Sequence, residues 1–246
     1  AQRALTSLRS AVVGDGLARP LRPLGPSVDR ELRRRVDDLL AAVALAPLDE
    51  PSRARAPFIT ATAIALVLIH VVVTRLGDPS DPNFLLRVGG LRSPIRDAEE
   101  SWRLITYALL HGGWEHLAFN VLALWSLGRF VEAFFGTPVA ALIFVLGAVL
   151  SGLAVHALAD EAHARVLVGA SGAIFAMGGA ALSAIALRRD LRGTRRGRSL
   201  LQNLIVAFAA QALLDRMVPA ISQTAHLAGL ASGLLLGAVF LPRKRA

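Results

Sequence analysis

Cysteine is absent from the 246 residues, and lysine occurs once, as Lys244. The first absence excludes disulfides, thiol nucleophiles and thiolate-bound metals. Charge is scarce as well: 18% of the residues are charged, where an ordinary soluble domain has about 25%. The low polarity that remains excludes a disordered chain, since 54% of the residues are apolar and the mean hydropathy is +0.53. No removable leader is expected either. The first long apolar run follows Phe58, too late for a signal peptide, and reads as a retained membrane span. Arginine, by contrast, is plentiful. Lysine and arginine together number 27 against 18 acidic residues, a net charge of +9. The arginines lie between apolar runs, which is a pattern of membrane topology, and no nucleic-acid partner is expected. Six histidines would suffice for a metal site, but no ligand spacing supports one. Neither metal nor cofactor is expected.

The chain divides into three parts. Residues 1–56 are rich in proline and arginine and read as a cytoplasmic tail. Within it Val28, Leu32, Val36, Leu39 and Val43 recur at helical spacing behind Ser27, a suitable N-cap. This predicts a short amphipathic helix on the surface, and its Arg33, Arg34 and Arg35 could meet anionic lipid. Residues 57–241 hold six apolar segments, 58–76, 115–135, 139–159, 169–187, 200–217 and 224–241. Each is close to the roughly 20 residues a helix needs to cross a bilayer, and only helices satisfy their backbone in lipid. The fold class is therefore all-α, a polytopic six-transmembrane-helix bundle with a long first outer loop. Residues 242–246 form a basic cytoplasmic C-terminus. The orientation follows from Arg53 and Arg55, from Arg188, Arg189, Arg192, Arg195, Arg196 and Arg198, and from Arg243, Lys244 and Arg245. With six spans these clusters share one face, which the positive-inside rule makes cytoplasmic. Both termini are then cytoplasmic, and the basic loops would attract anionic lipid.

Polar groups inside spans are costly and mark function. His116 and Asn120 lie four apart on one face of the second span. Ser171 opens the fourth, and His226 opens the sixth. Spans two, four and six run from outside to inside, so these four residues share a depth just below the outer surface. Span six carries Ala225, Gly229, Gly233 and Gly237, and span four carries Gly172, Ala176, Ala180 and Ala184. Such stripes of small residues let helices approach closely, which would bring Ser171 within reach of His226 as a nucleophile with its general base. His116, Asn120 and the Ser171 backbone N–H could donate to an oxyanion. No carboxylate is expected at this depth, so the reading is a two-residue dyad. Taken singly, such a serine is a packing residue and such a histidine an interhelical hydrogen bond.

The same stretches resemble the rhomboid intramembrane serine proteases of the bacterial six-span type. The matching text is Trp102-Arg103, the run 111–120 from His111 to Asn120, 123–129, Glu132 with Gly136, 169–178 around Ser171, and 225–233 around His226. The resemblance covers roughly 57–241. It implies hydrolysis of peptide bonds in or near transmembrane helices of other proteins, with Ser171 as nucleophile, His226 as base, and His116 and Asn120 as oxyanion donors. It implies no cofactor, and residence in a bacterial inner membrane. Span five would form a side gate and the loop after it a lid. Phe175 departs from the tyrosine found in several members. His111 reads as structural, and Arg129 with Glu132 as a structural pair. The alternative is a non-catalytic relative that binds and routes transmembrane helices. A transporter would require paired carboxylates or broken helices, and neither is read here.

Overall fold

The computed structural model describes residues 56–95, 98–159, 165–217 and 222–242. The amphipathic pattern in the N-terminal tail lies outside the described residues, as do 160–164, 218–221 and the basic end 243–246. Helix α1 spans Pro57–Leu76. Proline suits its first position, because the missing N–H would have had no helical acceptor. The next two free donors, Phe58 N and Ile59 N, bond the two carboxylate oxygens of Glu132 at 3.0 Å each. One face of α1 shows Ile64, Leu68, Val72 and Leu76, all exposed and four apart, a stripe for lipid.

The first loop is folded rather than slack. It holds α2 (Pro82–Arg87), β1 (Leu91–Ser93), α3 (Arg103–Thr106) and a 3₁₀ turn, Tyr107–Leu109. Helix α4 (Trp114–Ala123) runs through a π-turn at Leu124–Gly128 into α5 (Arg129–Phe135). Helix α6 follows at Thr137–Leu158, then β2 at Arg165–Leu167, α7 at Ser171–Leu187, α8 at Arg189–Arg192, α9 at Arg195–Met217 and α10 at Gln223–Val239. The molecule is a helical bundle, as the apolar runs require. Two features were not expected. β1 pairs antiparallel with β2, Leu91 opposite Leu167, tying the first loop to the approach to α7. The arginine-rich stretch after α7 is helical from Arg195, not a loop running to residue 200. Among the described residues three helices are both long and apolar enough to cross a membrane: α1, the rod Trp114–Phe135, and α6. α7 and α10 are apolar but have 17 residues each, or about 26 Å at 1.5 Å per residue.

α7 is the central helix. Twelve of its 17 residues are buried, which is the signature of an element surrounded by others. Its closest partner is α10. A Cβ placed on Gly233 would fall onto the Ala176 carbonyl, and one on Gly229 onto the Gly172 carbonyl. On Gly237 it would sit 2.6 Å from Ala180 Cα. The two small-residue stripes therefore interlock as the spacing predicts. Ser183 Oγ adds a 2.6 Å bond to the Leu234 carbonyl across the same seam.

One expected pair does not form. Glu132 is committed to the start of α1, and it also accepts a bond from Thr137 Oγ1 at 2.7 Å. The Arg129 guanidinium lies over the Trp125 ring, 5.1 Å from its centroid. The carboxylate is better used on free helix N–H groups, which are short of acceptors.

Candidate active site

Ser171 is the first residue of α7, so no carbonyl of that helix is available to its N–H or to those of Gly172 and Ala173. The turn before it depends on Gly169, which has φ +117° and would meet His116 Nε2 at 2.8 Å if it carried a Cβ. A side chain is excluded there by both conformation and space. Its N–H bonds the Tyr107 carbonyl at 2.9 Å, and the Tyr107 hydroxyl donates to the Ala148 carbonyl at 2.7 Å. The first loop and α6 thus hold the turn that presents Ser171.

α10 starts with a cap: the Ser222 side chain accepts from Ala225 N at 3.3 Å. One residue later comes His226, only 4% exposed. Its Nε2 lies 2.9 Å from Ser171 Oγ. The ring stacks on Phe175 with centroids 4.4 Å apart and planes 2° from parallel. Phenylalanine at this position therefore keeps the stacking contact.

The other ring nitrogen has a partner that the sequence reading did not anticipate. His226 Nδ1 lies 2.8 and 3.0 Å from the two carboxylate oxygens of Asp215. Asp215 sits near the end of α9, and its side chain is 3% exposed. This corrects the expectation that no carboxylate stands at this depth. Asp215 precedes Arg216, and together they look like a surface charge pair at a helix end. The available signal was direction: helices that alternate in direction bring the last turn of α9 to the starts of α7 and α10, where Ser171 and His226 lie.

Asn120 is buried, and one of its amide hydrogens bonds the His116 carbonyl at 2.8 Å. One N–H remains for another acceptor. His116 lies with its imidazole edge against Gly169, two residues before Ser171. His111 is fully buried and meets His116 edge to face at 5.0 Å. His70 of α1 extends this cluster, 6.5 Å from His111 and 4.6 Å from Trp114. Among the described residues no His, Asp or Glu cluster has metal-binding geometry. Arg103, expected at the entry of the first loop, donates to the Leu86 and Gly90 carbonyls and pairs with Glu100 at 3.2 Å. It holds the loop together away from the serine.

A serine hydrogen-bonded to a buried imidazole, at the free N-terminus of a helix inside an apolar bundle, is an arrangement that can supply a nucleophile with a proton acceptor. The family model for the rhomboid domain matches residues 98–243. The chain belongs to the rhomboid family. It is 34% identical to RHOMBOID-like protein 5 of Arabidopsis thaliana over 165 residues, 67% of this chain and 52% of that one. It is 31% identical to rhomboid protease GluP of Bacillus subtilis over 192 residues, 77% of this chain and 36% of that one. Against rhomboid protease GlpG of Klebsiella pneumoniae the identity is 30% over 207 residues, 77% and 66% of the two chains. This chain thus spans about half, or less, of the first two relatives. It is a multi-pass integral membrane protein, as its family and its apolar helices require.

Proposed function

We propose that this chain is an intramembrane serine endopeptidase that cuts peptide bonds in or near transmembrane helices of other membrane proteins. The observation that carries the reading is the 2.9 Å contact between Ser171 Oγ and His226 Nε2 at the buried start of α7. The serine attacks the scissile carbonyl carbon while its proton passes to His226 Nε2. The carbonyl oxygen takes the negative charge. Its donors are the backbone N–H of Ser171, at the positive end of α7, with His116 and the remaining N–H of Asn120. The proton on Nε2 then leaves with the departing amine, and water repeats the sequence on the acyl-enzyme. A helical substrate must first unwind, which small or helix-breaking residues near the cut favour. α9 is the side through which it enters, since Ile205, Val206 and Leu213 face outward from the bundle. No cofactor takes part.

In this reading the arginine-rich stretch after α7 and both termini face the cytoplasm of a bacterial cell, in its inner membrane, where the basic segments meet anionic lipid. The site then opens to the outer side. A non-catalytic relative that routes transmembrane helices would share the fold but not the chemistry. A fluorophosphonate probe separates the two. Labelling of the wild-type chain that disappears in both Ser171→Ala and His226→Ala supports the protease, and no labelling of the wild type supports the binder.

A further inference from the structure

A neutral imidazole carries one proton, and the two nitrogens compete for it. A general base at Nε2 works only if the proton rests on Nδ1. In solution nothing enforces that choice. Here Nδ1 faces Asp215, and a carboxylate can only accept. Both of its oxygens lie within 3.0 Å of Nδ1. Nδ1 must therefore donate, which leaves the Nε2 lone pair aimed at Ser171 Oγ. The carboxylate is itself held: Gln211 Nε2, one turn earlier on α9, donates to Asp215 Oδ1 at 2.8 Å. Both partners of the pair are nearly fully buried, with side chains 5% and 3% exposed. A carboxylate buried among apolar helices is costly. Packing gives no reason for it, since an apolar residue of that size would fill the space.

We propose that Asp215, held by Gln211, is a positioning residue that fixes the reactive tautomer of His226 and stabilises the imidazolium formed during peptide hydrolysis. The inference rests on the reading of Ser171 and His226 as nucleophile and base. When Oγ bonds to the substrate carbon, its proton moves to Nε2 and the ring becomes a cation. Asp215 keeps its charge and accepts the same hydrogen bond throughout, so no proton moves to it. When the C–N bond breaks, the Nε2 proton goes to the leaving nitrogen and the ring returns to neutral. The base thus draws on three helices, with Ser171 from α7, His226 from α10 and Asp215 from α9. The titratable groups facing His226 are Asp215 and His116; α7 faces it with Ser171 and the Phe175 ring.

The test uses the full chain in liposomes with a transmembrane substrate. Cleavage is measured between pH 5 and 9 for the wild type, Asp215→Asn and Ser171→Ala, beside melting temperature. Asparagine keeps the shape but presents an N–H or a neutral oxygen to Nδ1. The expected result is a loss in kcat of at least tenfold, in the direction of the roughly 10⁴-fold loss known for the equivalent change in a soluble serine protease. KM should change less than twofold. Nitrogen NMR of His226 in the folded Ser171→Ala chain is the second measurement, and it does not depend on the Asp215 variant folding. It should report Nδ1–H at neutral pH. Wild-type kinetics in Asp215→Asn, a kcat loss that only follows lost melting temperature, or an Nε2–H tautomer would each overturn the proposal. A wild-type chain that neither cleaves nor labels would instead overturn the protease reading on which it stands.

Discussion

At Ser171 the hydroxyl has the His226 imidazole on one side and the start of α7 on the other, and the two contributions are separable by substitution. In the proposed mechanism Ser171 and His226 act as one chemical unit through their 2.9 Å contact. Ser171→Ala and His226→Ala should each abolish cleavage of a transmembrane substrate, and the double variant should be no worse than either, because groups acting together are not additive. A Ser171→Ala chain that keeps a tenth of wild-type activity would remove the serine from its role. The oxyanion side should be softer. Loss of one donor costs roughly 10²–10³ in kcat in a soluble protease. Asn120→Ala should cost less, because one of its two amide hydrogens is already spent on the His116 carbonyl and the α7 backbone remains. The kinetics should show a lower kcat at unchanged KM. A rise in KM alone would mean that Asn120 binds substrate and does not stabilise the transition state.

At the scale of elements, the geometry of the site is a consequence of how closely α7 and α10 approach. Gly233 has the Ala176 carbonyl where a side chain would go, and Gly237 has Ala180. A displacement near 1 Å can cost about 10²-fold in rate when it misplaces reacting groups. Gly233→Val should therefore remove activity and lower the melting temperature. Gly237→Val, one turn further from His226, should lower melting with a smaller loss of rate. Normal rate and normal melting in Gly233→Val would show that this seam does not set the distance between Ser171 and His226. The seam was legible in the sequence because a small residue every fourth position has one structural meaning in a membrane helix. So was the meeting of Ser171 with His226 and of His116 with the turn before Ser171, which follows from alternating helix direction. The partners of the buried carboxylates were not legible. Glu132 turns to α1, more than seventy residues away in the chain, and nothing local in the sequence encodes which free N–H groups will be nearest. Asp215 was hidden for the opposite reason, since beside Arg216 it has an obvious local explanation that is wrong. The pairing of β1 with β2 escaped because three-residue strands carry too little alternation to read.

At the scale of the whole molecule, orientation and acid sensitivity are linked, because in the proposed topology the site opens to the outer face and experiences the pH outside the cell. The absence of cysteine makes orientation directly measurable. A single cysteine at Ser80, exposed in the first loop, should react with an impermeant maleimide added to intact cells, and one at Arg192, exposed after α7, should react only once the inner face is opened. The reverse pattern would invert the proposed topology. Acid sensitivity follows from His111, in the turn that leads into α4. Burial, then the nearby charges of His116 and His70, pushes its pKa down to about 3 from 6.5. In the unfolded chain His111 would take up a proton below about pH 6.5, whereas in the fold it stays neutral until about pH 3. Between those values the unfolded state binds more protons, so stability is full above pH 6.5 and is lost progressively as the pH falls towards 3. His111→Phe keeps a ring against His116 and cannot be protonated. Melting temperatures in detergent at pH 7.5 and 4.5 should drop more for the wild type than for His111→Phe. Other groups titrate in this range in both proteins, so the difference between the two drops isolates His111. Equal drops would mean that His111 meets water in the fold and that its burial does not set its proton affinity.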